Sequence, residues 1–131
     1  MQIYAYTENL IMPSTDKQEL HTLFEMVSRY FSVLSEPTRL SILHSLCNGE
    51  RSVGEIVEAT ESTQTNVSRH LKLMYDANIL SRRKEGTLVF YRVSSEHTID
   101  LCRGVCTQMA IEMDNQKKLN PKLAKKFTLQ G

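Results

Sequence analysis

The chain has 131 residues, 40% of them hydrophobic and 24% charged, with a formal net charge of +1. That length builds one domain around one core, and no apolar run approaches the roughly 20 residues a spanning helix needs. Three cysteines without paired spacing exclude a disulfide scaffold and fit a reducing cytoplasm. Glu8 and Asn9 interrupt any secretory pattern at the N-terminus. Phosphate-loop, dinucleotide-binding, nucleophile-elbow and zinc-protease motifs are all absent, so an enzyme is not expected.

The charge is unevenly distributed. Residues 1–61 carry net −5, residues 62–92 carry +4 and residues 93–131 carry +2. A near-neutral chain that gathers its cations in one short stretch is a candidate polyanion binder through that stretch.

Residues 1–13 read as an N-terminal arm, with a short alternation at Ile3 to Tyr6 and turn residues Asn9 and Pro13. Thr15 and Gln18 fit a capping box, and Leu20, Leu23, Phe24, Val27, Phe31 and Leu34 recur at helical spacing, predicting a helix over 15–34. A second helix is expected from a Ser35 cap, with Pro37 in its first turn, Leu40, Leu43, Leu46 and Cys47 on its inner side, and Asn48-Gly49 closing it. Ser52 and Glu55 form another capping box and open a short helix over 53–60. A turn at Glu61-Ser62-Thr63 leads into a helix over 64–77 whose inner stripe is Val67, Leu71 and Met74. Strand-type residues on both sides of Gly86, at 79–84 and 88–93, predict a β-hairpin. A long helix then runs over 95–118, with Ile99, Cys102, Cys106, Met109 and Met113 as a heptad seam widened by Leu101 and Val105. Pro121 stops it, and residues 119–131 read as a loose basic tail carrying Lys122, Lys125 and Lys126. The fold class is mainly α with a small β-hairpin wing, the central domain spanning 14–118.

The two short helices joined by a tight turn form a helix-turn-helix. A helix that reads DNA shows hydrogen-bonding side chains outward in its first turns and apolar anchors inward. Gln64, Thr65, Asn66, Ser68 and Arg69 supply that polar face, and no acidic residue lies between Ser62 and Tyr75. Glutamine and asparagine match the paired donor and acceptor of adenine, and arginine's fork matches guanine. The hairpin adds Arg82, Arg83, Lys84 and Arg92 as a basic wing. Either feature alone is equally a solvated polar face; together, and in this order, they point to double-stranded DNA.

The runs Leu34-Ser35-Glu36-Pro37-Thr38-Arg39-Leu40-Ser41-Ile42-Leu43, Ser52-Val53-Gly54-Glu55-Ile56 and Thr63-Gln64-Thr65-Asn66-Val67-Ser68-Arg69-His70-Leu71-Lys72-Leu73, with Gly86 and Phe90-Tyr91-Arg92-Val93, resemble the ArsR/SmtB family of bacterial winged-helix repressors. The resemblance implies a winged helix-turn-helix that dimerises through its first and last long helices, binds a palindromic operator and is released by a sensed inducer. It carries the DNA-reading role to Thr63, Gln64, Thr65, Asn66, Ser68, Arg69 and Lys72, and the wing role to the segment from Arg82, Arg83 and Lys84 to Thr87. The apolar faces of the first and last helices support a homodimer independently, since both exceed what one small chain covers.

The family's usual metal sites do not carry over. The segment Arg51 to Glu55 lacks the cysteine pair, and Ser95-Glu96-His97 keeps only the histidine of the other site, whose later positions fall on Gln108 and Ile111. Cys47, Cys102 and Cys106 remain as candidate sensors. Cys102 and Cys106 are helical neighbours, about 6 Å apart at Cβ, too far for a disulfide. Three readings stay open: a thiophilic metal or metalloid ion at Cys102 and Cys106 with Cys47 or His44 nearby, a thiol switch responding to oxidants or reactive sulfur, and cysteines that merely pack. Two functional alternatives also stand: a regulator with no sensory cysteines, and an interaction module that keeps the fold. His70 is expected at the margin of the DNA face, and His21 carries no signal.

Overall fold

A computed structural model describes residues 14–116 and 122–128. The chain divides after Leu34 into two compact units. The expected arm at 1–13 and the Pro121 stop lie outside the described residues.

The first unit contributes one 20-residue helix, α1 (Ser14–Val33). It starts one residue before the expected Thr15 cap, so Thr15 lies inside its first turn. His21 and Glu25 pair across one turn at 3.4 Å. The apolar stripe forms as its spacing predicts, yet Leu23, Phe24, Val27 and Phe31 all stand exposed.

The second unit begins with α2 (Pro37–Ser45). Its cap is Glu36 rather than the expected Ser35: the carboxylate accepts the Arg39 N–H at 3.0 Å. Pro37 holds the first helical position and has no N–H, so the first donors to be satisfied lie further in, where the longer Glu36 side chain reaches. The helix ends at Ser45, well before Gly49. Arg51 Nε donates to the Ser45 carbonyl at 2.6 Å and satisfies that helix end from outside. Cys47 therefore lies in a turn, not on the helix. Ile42, Leu43 and Leu46 face the core, while Leu40, expected inside, is exposed.

Arg51–Ser52 form a two-residue strand, β1. It pairs antiparallel with the later strand β3 (Leu88–Val93), Arg51 opposite Tyr91 and Ser52 opposite Phe90. The sheet thus has three strands in the order β1-β3-β2, where β2 is Leu80–Glu85; the sequence signals predict only the hairpin. Leu80 faces Val93 and Glu85 faces Leu88 in that hairpin. Gly86 sits in the left-handed region at φ +63°, which turns the chain between the strands at no steric cost.

Helix α3 (Val53–Thr60) starts at the expected capping box, with both Ser52 and Glu55 bonds formed. It stops because Glu61 takes a left-handed conformation at φ 53°. Thr63 then caps α4 (Gln64–Asp76) by accepting the Asn66 N–H. Val67, Leu71 and Met74 are buried, as their spacing predicts. They join Ile42, Leu46, Ile56, Ile79 and Leu80 in the core.

Helix α5 (Glu96–Asn115) is capped by Ser95, and its predicted seam divides. Cys102 and Cys106 are half-buried, whereas Met109 and Met113 are exposed alongside Leu101 and Val105. Residues 122–128, expected as loose tail, form a short helix, α6 (Lys122–Thr128), packed on α5. Among the described residues no helix is long and apolar enough to cross a membrane.

Ile56 is fully enclosed and belongs to the short helix on which α4 is mounted. Ile56→Ala is expected to cost about 2–5 kcal/mol. Urea unfolding checks this, the expected result being a lower midpoint at unchanged slope.

Candidate nucleic-acid interface and thiol cavity

The outer face of α4 is built by elimination. Once Val67, Leu71 and Met74 are buried, Gln64, Thr65, Ser68, Arg69 and Lys72 stand in solvent. Thr63, the cap, is also exposed. Asn66 is half-buried and acts locally: its amide donates to Ser62 Oγ at 2.9 Å and its carbonyl accepts from Arg69 Nη2 at 2.7 Å. Lys72 pairs with Asp76 at 2.9 Å on the exposed surface, a contact of small energy that a competing anion displaces.

His70 departs from its expected place at the margin of the outer face. It is buried, with Nδ1 3.2 Å from Arg39 Nη1 and Nε2 3.8 Å from Glu36 Oε2. Arginine only donates, so Nδ1 is the acceptor and the ring N–H is directed at the Glu36 carboxylate. Burial raises the Glu36 carboxyl, but the backbone N–H groups of Thr38 and Arg39 outweigh it and hold the group below its ordinary value. One helix cap therefore also anchors α4 to the start of α2.

On the wing, the candidate cations have different partners. The Arg82 guanidinium lies 3.9 Å over the Tyr75 ring, which fixes β2 against α4. Arg83 bonds Glu50 and Glu85 and lies 4.5 Å over Phe90. Those carboxylates hold its proton more tightly than usual, and Arg83 in turn lowers the Glu50 carboxyl. Lys84 and Thr87 are exposed near the Gly86 turn. Strand alternation in the sequence already sets Arg83 on the opposite face from Arg82 and Lys84; the structure adds the carboxylates that engage it.

The three cysteines meet at one place. A cavity of about 260 Å³ between α2 and α5 is lined by Cys47, Cys102 and Cys106 together with Leu40, Leu43 and Ile99. Burial, and then the neighbouring Cys106, pushes the Cys102 thiol up; burial alone pushes up Cys106. His44, at the cavity's edge, is pulled down by burial and by Lys126. Among the described residues no three His, Cys, Asp or Glu side chains converge as ligands, and soft metals take the thiolate, which this cavity disfavours.

The elements together define a winged helix-turn-helix. Residues 36–82 match the family model described as "Bacterial regulatory protein, arsR family". The chain is 36% identical over 76 residues to the transcriptional regulator KmtR of Mycobacterium tuberculosis, a match spanning 58% of each chain. It is 34% identical over 79 residues to the arsenical resistance operon repressor of Bacillus subtilis, covering 57% of this chain and 75% of that one. The solution structure of a homodimeric winged helix-turn-helix DNA-binding domain from Mycobacterium bovis superposes with a TM-score of 0.65 at 29% identity, over 82% of this chain and 95% of that domain. The protein belongs to the ArsR family of bacterial regulatory proteins.

The elevated Cys102 pKa predicts slow thiol chemistry at neutral pH. Iodoacetamide labelling of the reduced chain, followed residue by residue, is expected to give a pH midpoint for Cys102 above the roughly 8.5 of a free thiol. A midpoint at or below that value contradicts the description of the cavity.

Proposed function

We propose that the protein is a dimeric transcriptional repressor that binds a palindromic operator. The observation that carries this reading is the division of α4. Its apolar stripe is wholly buried while Gln64, Thr65, Ser68 and Arg69 project outward beside the cationic end of the hairpin. In this reading α4 lies in a major groove, where Gln64 and Arg69 meet base edges. The exposed start of the helix, capped by Thr63, receives a phosphate. Asn66 orients Arg69, and Lys72 exchanges Asp76 for the DNA backbone. Lys84 and Thr87 follow a flanking groove, Arg82 holds the wing against α4, and Arg83 braces the hairpin through its carboxylates. The exposed apolar faces of α1 and α5 support a second copy as partner, which sets two recognition helices about one DNA turn apart.

Release of the operator is assigned to the cavity that gathers Cys47, Cys102 and Cys106. The reason is mechanical. That cavity is walled by α2, and the start of α2 holds His70 of α4 through Arg39 and Glu36. A change that moves α2 is felt by the reading helix.

Arg69→Ala is expected to cost about 1–3 kcal/mol of operator affinity and to relax base preference. Lys84→Ala is expected to weaken all sequences alike and to reduce the salt slope by about 1. Fluorescence-anisotropy titrations across salt check both. Unchanged binding in both variants contradicts the proposed docking.

A further inference from the structure

The cavity between α2, α5 and α6 has properties that reach beyond its cysteines. Its volume of about 260 Å³ exceeds the roughly 150 Å³ of an engineered apolar cavity that takes up benzene, so it has room for a larger ring system. Its wall is aliphatic and sulfur-bearing, from Leu43, Ile99, Cys47, Cys102 and Cys106. Sulfur makes favourable contacts with aromatic ring edges. At one side stand two rings, His44 on α2 and Phe127 on α6, 5.7 Å apart and tilted by 52°. That spacing belongs to attractive aromatic pairs and suits a third ring placed against them. The charged side chain in the wall, Arg103, faces Asp100 at 3.8 Å.

We propose that this cavity is a binding site for a neutral aromatic molecule of one or two rings, held between α2 and α5 and closed over by Phe127. The shifts of Cys102, Cys106 and His44 agree, since each favours the uncharged form of its group. Binding is by apolar contact, and no covalent bond forms. The site's role as effector site rests on the operator-binding reading above; the site itself does not.

The experiment uses the full chain and two probes that share one two-ring skeleton, neutral dansylamide (5-dimethylaminonaphthalene-1-sulfonamide) and its anionic analogue 5-dimethylaminonaphthalene-1-sulfonate. The neutral probe is expected to give a saturable fluorescence rise with one molecule per chain. The anion is expected to bind about tenfold or more weakly. Cys102→Trp, which fills the cavity, is expected to abolish the signal. Phe127→Ala on the peripheral helix α6 is expected to weaken it about fivefold or more, and serves if the tryptophan variant fails to fold. Glu58→Gln, exposed on α3 and outside the cavity wall, is expected to leave it unchanged. No saturable binding overturns the proposal. So does equal affinity for the anion, indifference to both cavity variants, or loss of signal in Glu58→Gln. Operator titration without probe is run in parallel: operator binding without probe uptake removes this site alone, and probe uptake without operator binding removes the repressor reading alone. In the complete case, saturating probe lowers operator affinity about tenfold, and an unchanged affinity overturns the effector role.

Discussion

Everything the α4 helix presents to solvent depends on how its other face is seated. Val67, Leu71 and Met74 lie one turn apart along the helix and are almost wholly enclosed, so the helix cannot rotate without exposing all three. Enclosing them sets the outward bearing of Gln64, Thr65, Ser68 and Arg69. Apolar burial alone leaves some freedom to slide, because it is not directional. The hydrogen bond between Arg39 and the buried His70 removes that freedom, since hydrogen bonds have fixed partners and angles. The cost of a misplaced buried polar group makes this register specific.

The wing shows the same economy of orientation. Arg82 over Tyr75 and Arg83 between Glu50 and Glu85 occupy fixed places before any ligand arrives. Long cationic side chains otherwise lose considerable rotamer freedom on binding. The pairing has a consequence for electrostatics: two of the six cations in residues 62–92 are compensated locally, Lys72 by Asp76 and Arg83 by Glu50 and Glu85. The field offered to a polyanion is therefore concentrated at the outer face of α4 and the hairpin end rather than spread over the basic segment.

Local sequence rules read most of the frame correctly. The Ser52 and Glu55 capping box, the α4 stripe and the Gly86 hairpin depend on short-range chemistry and appear where spacing places them. The departures arise where a partner distant in sequence decides. Glu36 caps α2 because Pro37 removes a donor that Ser35 would have served. Helix α2 ends at Ser45 because Arg51 satisfies its carbonyl, which leaves Cys47 in a turn. Strand β1 is too short to carry any alternation and exists only as a partner of β3. His70 looks like one more polar residue on a reading helix, and its burial follows from Arg39, distant in sequence. No local pattern marks the cavity, since it requires α2, α5 and α6 to meet.

These arrangements make a connected proposal. In the proposed reading, a cavity against one end of α2 and a hydrogen-bonded anchor to α4 at its other end link regulation to recognition through a single short helix. The central claim is that two copies present their two α4 helices to successive major grooves. Selection of bound duplexes from a random DNA pool by the full chain tests it most directly. The account predicts an enriched inverted repeat with half-site centres about 10–10.5 base pairs apart or a multiple of that spacing. Enrichment of a single unrepeated site, or no enrichment at all, contradicts it.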